Sequence, residues 1–469
     1  GQIGEHCDKL RHKGGADPTI TISCAPGFAV SWLFPRLIRF DQLHPDTPVS
    51  ILTDPSPVGF AEKVAEKIAK KKCQSRTAQD MVPSHLHESL RIECPDPTAE
   101  DKLRDDNQQL GQRLVRQENW KDLTQAIQNA DAANTLTPGF ISVAELIAYG
   151  ARADVVLAAE HVISEIETGV AKELLNGIEE FEHILVENPD NYVIACIVAQ
   201  THIDMGWAWR GTAWAEEIPL RNLEAYNAHF DRAYDIIAPF IDRFPTSPLV
   251  VATHCAQVTG AGGKTHKIAD QYERLIDLNP HNPRPMRAMG SHLLPRWFGS
   301  YDQLELEARR TAARTENIWG AGGYTWVQFD AISNDDVACT NLDLPFFIDG
   351  LRDILTRCPT PHTANLLAAY CANTLGQGVS ENEQADHVRR QIADCTEWIV
   401  REHITELHPM IWAHAAHGFD NNLHIRSPQK FAASGRDDAM RIMANLFKSE
   451  IAAGNSIVFT AEGPRAIAT

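Results

Sequence analysis

Residues 201–214 read THIDMGWAWRGTAW and put three tryptophans and one arginine into eight positions. On a helix Trp207, Arg210 and Trp214 share a face. Trp and Arg are the side chains that dominate binding hot spots, and an arginine over an indole makes a cation–π contact. The plainer reading is a packing layer between helix pairs. His202 and Asp204 are two apart, diverge on a helix and form no metal pair alone. Gly260-Ala261-Gly262-Gly263-Lys264-Thr265 ends like a phosphate-binding loop. That loop needs a glycine where Val258 stands and a strand before it. Residues 249–258 fit a helix, so the segment reads as an interhelical loop.

His403, His408, His414 and His417 gather around Trp412. His414 and His417, three apart, share a helix face, but no H-E-x-x-H arrangement accompanies them. A structural or surface role is expected there, not a metal site. No nucleophile elbow and no Gly-rich dinucleotide fingerprint after a strand occurs. These absences predict a non-enzymatic protein without catalytic residues, metal or cofactor.

The elements that must position such residues are helices. In residues 271–310, Leu275, Ile276 and Leu278 close one helix, and Asn279-Pro280-His281-Asn282-Pro283 breaks the chain. Met286, Met289, Leu293 and Leu294 face one way in a second helix that Pro295 ends. A third starts at Leu304. A helix pair this short cannot cover its own apolar face, so it must stack on similar neighbours.

The 469 residues exceed what one compact core usually holds. An apolar fraction of 43% and a charged fraction of 22% are ordinary for a globular protein. The net charge of −19 argues against non-specific nucleic-acid binding, which needs a basic face. Residues 1–76 carry eleven Lys/Arg against eight Asp/Glu, a net +3, which leaves −22 for the remainder. Ten scattered cysteines without a C-x-x-C read as reduced thiols. No signal-like leader and no long apolar run predict a cytoplasmic chain away from membranes.

Near the start, residues 19–23 alternate β-branched side chains, residues 28–43 form a helix, and residues 49–53 make a second strand. That is one βαβ unit with parallel strands. Residues 61–72 form a basic amphipathic helix, and residues 73–106 read as a linker. The stretch TITISCAPGFAVSWLFPRLIRFDQLHPDTPVSILTD resembles the first βαβ unit of the effector-binding domain of LysR-type transcriptional regulators. The likeness rests on Trp32-Leu33-x-Pro35-Arg36-Leu37, Phe40 and His44-Pro45, and covers about residues 5–54. It implies that Ser23, Cys24 and Phe28 lie near a small effector, and that a DNA-binding head would lie upstream of this chain.

Beyond residue 110 helices dominate. Leu114, Trp120, Leu123 and Ile127 are placed on one face. Helices follow at 141–159, 174–186, 192–209 and 437–453, with residues from Gly454 frayed. Four proline-bearing breaks recur: NPDN at 188–191, FPTSP at 244–248, NPHNP at 279–283 and CPTPH at 358–362. They resemble the turns between tetratricopeptide repeats, and Pro245 to Pro280 matches that family's period of about 34 residues. The run Leu-Pro-Arg-Trp-x-Gly-Ser at 294–300 is similar to bacterial helical-repeat proteins. The expected architecture is mainly α, an irregular tetratricopeptide-like α-solenoid over residues 100–469 after a βαβ fragment (1–54) and a basic helix with linker (55–99). The expected function is an interaction scaffold whose concave groove takes a protein or peptide on Trp207, Arg210, Trp214, His292, Arg296 and Trp297. The alternative is a LysR-type regulator remnant that itself makes no nucleic-acid contact.

Overall fold

Proline and its neighbours set the frame. Each of the four proline-bearing breaks falls between two helices in the computed structural model. The structure describes residues 20–24, 49–53, 88–164, 176–211, 218–261, 265–376, 380–417 and 427–468. The chain divides into two units, residues 1–83 and 84–469. In the first, β1 (Ile20–Cys24) and β2 (Val49–Thr53) pair in parallel, with Ile20 opposite Val49 and Cys24 opposite Thr53. The basic helix, the crossover helix and Phe28 lie outside the described residues, as do the side chains of Ser23 and Cys24.

The second unit is mainly helical. After β3 (Leu90–Arg91) come α1 (Ala99–Arg116), α2 (Trp120–Ala132), α3 (Val143–Ser164), α4 (Asn176–Glu187), α5 (Tyr192–Arg210), α6 (Leu220–Ile241) and α7 (Pro248–Gly260). Next are α8 (Thr265–Leu278), α9 (Arg284–His292), α10 (Tyr301–Arg314), α11 (Glu316–Trp319), α12 (Gly322–Asn334), α13 (Asp336–Thr340) and α14 (Leu344–Arg357). The unit closes with α15 (Pro361–Ala369), a π-helical turn at Tyr370–Leu375, α16 (Glu383–Ala393), α17 (Cys395–His403), α18 (Pro409–His417), α19 (Pro428–Leu446), α20 (Lys448–Ala452), β4 (Asn455–Thr460) and β5 (Gly463–Ala468).

Sequence neighbours pack on each other, and α3, α5 and α7 also pack side by side. The apolar faces meet as the pattern requires: Met286, Met289, Leu293 and Leu294 are all buried. Asp131 ties three segments at a turn. Its carboxylate accepts from Tyr192 Oη, Ser247 Oγ and the Leu249 amide.

Three expectations need correction. Residues 110–127 are not one helix: Glu118 takes a positive φ of 54° between α1 and α2, so Leu114 and Trp120 belong to different elements. Residues 73–106 are not all linker. Thr98 and Asp101 form a capping box that starts α1 at Ala99, and Leu90 is buried in a strand. The C-terminal end is ordered as a hairpin from Asn455, because Ile457 and Phe459, two apart, both turn into the core.

These last two corrections belong together. β4 pairs antiparallel with β5 and parallel with β3, so the first strand of the unit joins its final hairpin in a three-stranded sheet. A bridge between Glu93 and Glu406 continues the seam, with the Leu407 amide donating to the Glu93 carbonyl at 2.8 Å. The first and last segments of the unit are thereby joined.

Candidate functional site

The helical unit carries an open cavity of about 1100 Å³. Its wall comes from residues 94–104 and 139–145 at one end of the unit, 252–292 and Asp330 in the middle, and His362, 408–414 and 429–436 at the other end. Helix starts fix the polar groups. On α1 the capping box sets the helix phase. Glu100 then accepts from Thr137 Oγ1 at 3.0 Å and the Gly139 amide at 2.7 Å. Arg104, one turn on, lies on the same side and also lines the cavity. On α9, Asn282 Oδ1 accepts from the Arg284 amide at 3.0 Å. Arg284, Arg287, Ala288 and Ser291 then follow the i, i+3, i+4, i+7 face of that helix into the cavity.

The cavity's charges divide into two kinds. Arg287 grips Asp330 of α12 with two bonds of 2.8 and 2.9 Å and lies 4.6 Å over the Phe329 ring. Glu100 and Asp101 accept from the protein's own donors, as above. Arg104, Arg284 and Arg436 have neither a side-chain hydrogen bond nor an ion pair within 4 Å among the described residues. Arg284 is exposed to the cavity although protein encloses it. Burial pulls its pKa down, and the nearby Glu145 carboxyl pulls it back up. The Glu145 carboxyl is itself raised by burial, against the pull of Arg284 and Arg152.

Histidines fill the far end. His408 is buried, donates its backbone amide to Asn365 Oδ1 at 3.0 Å and places Nε2 2.9 Å from Glu406. Its Nδ1, like Nδ1 of His362, is buried without a partner. Buried polar atoms are ordinarily bonded, so such orphans mark a place where another group is missing. The His362 and His408 rings lie 6.0 Å apart. Burial, with His408 and Arg104, pushes the His362 pKa down to about 4 against the opposing pull of Asp101.

A histidine whose folded pKa lies below its unfolded value of about 6.5 favours the folded state above that value. The contribution is lost as pH falls through the folded value of about 4. Stability is therefore expected to drop between pH 6.5 and 4. The His362→Gln variant should lose less over that window, which urea unfolding at pH 7 and pH 4.5 measures.

The residues named from sequence scatter. His292 lines the cavity, where its Nδ1 lies 3.1 Å from Tyr272 Oη and 2.8 Å from the Ala288 carbonyl. Arg296 and Trp297 are exposed outside the lining, with the Trp297 ring 6.2 Å from His292. Trp207 is 39% exposed at the end of α5, set edge-on to Tyr226 and Phe230. The Arg210 guanidinium is 5.9 Å from the Trp207 ring centroid, the expected cation–π pair, but neither residue reaches the cavity. Trp214 lies outside the described residues. His202 faces His229 at 2.9 Å and Glu182 at 3.0 Å, whereas Asp204 turns to Arg152 at 2.6 Å. Among the described residues no group of three or more His, Cys, Asp or Glu side chains could hold a metal ion. No helix of the described residues is long and apolar enough to cross a membrane. Sequence reasoning missed Arg104, Arg284 and Arg436. They stand far apart in the chain, and nothing local distinguishes them from the paired Arg287.

Over 47 residues the chain is 43% identical to the AhcY transcriptional activator HvrB of Rhodobacter capsulatus, a LysR-type activator. The shared stretch is 10% of this chain and spans only 16% of that protein. No family model matches the chain, and no solved structure matches it.

Proposed function

We propose that the helical unit is a non-catalytic binding protein, an irregular tetratricopeptide-like array that takes an anionic guest into its cavity. One observation supports this reading above the rest. Three exposed arginines from three separate helices line one open cavity with no protein anion within ion-pair distance. Guanidinium groups bring five N–H donors each and suit carboxylate or phosphate. Lying in a concave site, each contact is stronger than it would be in bulk water. The partner surface foreseen at Trp207, Arg210, Arg296 and Trp297 moves in this reading to the cavity. Of that set only His292 remains beside the guest.

Unpaired arginines strain the empty protein, which gives a test with an unusual sign. Arg284→Gln is expected to raise the melting temperature of the guest-free chain by about 1–3 °C, because it removes a cation repelled by Arg287 and Arg104. The same change should abolish stabilisation by added orthophosphate, read by differential scanning fluorimetry. A variant that melts lower and still responds to phosphate would refute the reading. Trp207→Ala and Arg296→Ala should leave the phosphate response unchanged.

A second reading is favoured by the match to the activator HvrB, which is similar in length to residues 5–54. In it the first unit derives from a LysR-type effector domain, and the protein serves transcription regulation in the cytoplasm. Reading the codons upstream of Gly1 tests this: an in-frame winged helix-turn-helix supports it, and an unrelated sequence removes it.

A further inference from the structure

We infer that the guest carries two or more anionic groups spread along its length, in the manner of a polyphosphate or a polycarboxylate. This rests on the cavity reading above and deepens it. A single carboxylate or phosphate is satisfied by one or two guanidinium groups in bidentate contact. Here three unpaired arginines from three helices line a single cavity, more guanidinium groups than one carboxylate or phosphate takes up. Arg104 is on the first helix of the unit, Arg284 opens α9, and Arg436 is on α19. Arg104, Arg284, His362 and His414 line the same cavity, close enough for the Arg104 charge to act on the other three. Arg436 stands with Cys94 at the seam that joins the two ends of the unit. The three donors thus share one cavity.

His362 and His408 also line the cavity, with their partnerless Nδ1 atoms buried behind its surface. Three carboxylates of the wall are already engaged elsewhere. Glu100, Asp101 and Asp330 already accept from Thr137, Gly139, Thr98 and Arg287. Glu145 is the buried acid facing Arg284, and a guest N–H or O–H beside it would be held as well. A chain of net charge −19 also repels anions at long range. Capture therefore needs several contacts at once, which a singly charged guest cannot make.

The test is isothermal titration of the full chain, at constant ionic strength, with orthophosphate, pyrophosphate and tripolyphosphate, and in parallel with acetate, succinate and citrate. Affinity is expected to rise at least about tenfold along one of the two series as successive groups engage separate arginines. The series that rises tells phosphate from carboxylate. Arg104→Gln and Arg436→Gln should each remove that rise yet keep the weak orthophosphate or acetate binding. Arg104→Lys should restore part of the rise. Two flat series with weak binding retained would overturn the multivalent guest but leave the anion cavity standing. No binding of any probe would overturn the cavity reading itself. A rise that survives both glutamine variants would place the probe elsewhere on the protein and overturn the inference.

Discussion

Asn365→Leu is expected to lower the unfolding free energy of the helical unit by about 4 kcal/mol, measured by urea denaturation at neutral pH. Asn365 is completely buried near the start of α15 and uses its whole amide. Its Nδ2 donates to the Pro361 and Glu406 carbonyls, both at 2.9 Å. Its Oδ1 accepts from the His408 amide at 3.0 Å and from Trp412 Nε1 at 2.9 Å. Leucine has the same branching and is larger, so no cavity arises and crowding adds to the cost. The larger cost is polar: two donors and two acceptors lose their partner, in a place where Trp412 is also fully buried. Each buried orphan costs about 1–3 kcal/mol, and partial relaxation keeps the sum below simple addition. Asn365→Asp separates the parts. It keeps both acceptor bonds and loses the two donors, so its loss should be smaller near pH 4 than at pH 7. Because Asn365 also fixes the His408 backbone, Asn365→Leu should weaken anion binding. A loss under about 1 kcal/mol would mean that residues 406–412 are held by packing alone.

What the sequence could disclose follows from the range of each interaction. Proline acts on its own residue and the one before it, so the breaks at 188–191, 244–248, 279–283 and 358–362 were legible and all separate helices. Met286 and Met289 were legible as core because a helix repeats its burial every three to four residues. The seam was not. β3 is two residues long, and its partner lies more than 360 residues away, at Ile457 and Val458. A two-residue strand has no period to read. The C-terminal hairpin read as fraying because Gly454 and Gly463, both at positive φ, look like breakers until they are seen to bracket β4. The tryptophans drew attention for the cost of exposing them. Trp207 meets that cost by edge contacts with Tyr226 and Phe230 and by Arg210, with no binding partner required. The cavity arginines carried no mark, since an unpaired Arg284 and a paired Arg287 differ only in what α12 brings against them.

Gly150→Ala should cost about 3 kcal/mol and loosen guest binding about tenfold, although alanine is the better helix former. α1 and α3 cross with glycine on both sides. A Cβ on Gly150 would stand 1.9 Å from the Gln108 carbonyl oxygen, and one on Gly111 would stand 2.0 Å from the Ile147 carbonyl oxygen. These neighbours are backbone, so no rotamer change can make room. The helices must part by roughly 1 Å to restore van der Waals separation, and contacts along the whole crossing weaken with them. The gain in helix propensity, about 1 kcal/mol, offsets only part of that loss. The shift reaches the cavity because α1 carries Glu100 and Arg104 into its wall and follows directly on the β3 seam. Gly177→Ala is the control. There the nearest atom is a Val155 methyl at 3.0 Å, a side chain that can yield, so its effect should stay within about 0.5 kcal/mol and leave binding intact. Denaturant midpoints and tripolyphosphate titrations of the two variants decide the matter. If Gly150→Ala lost stability but bound as tightly as the parent chain, Arg104 would not touch the guest, and binding would rest on Arg284 and Arg436.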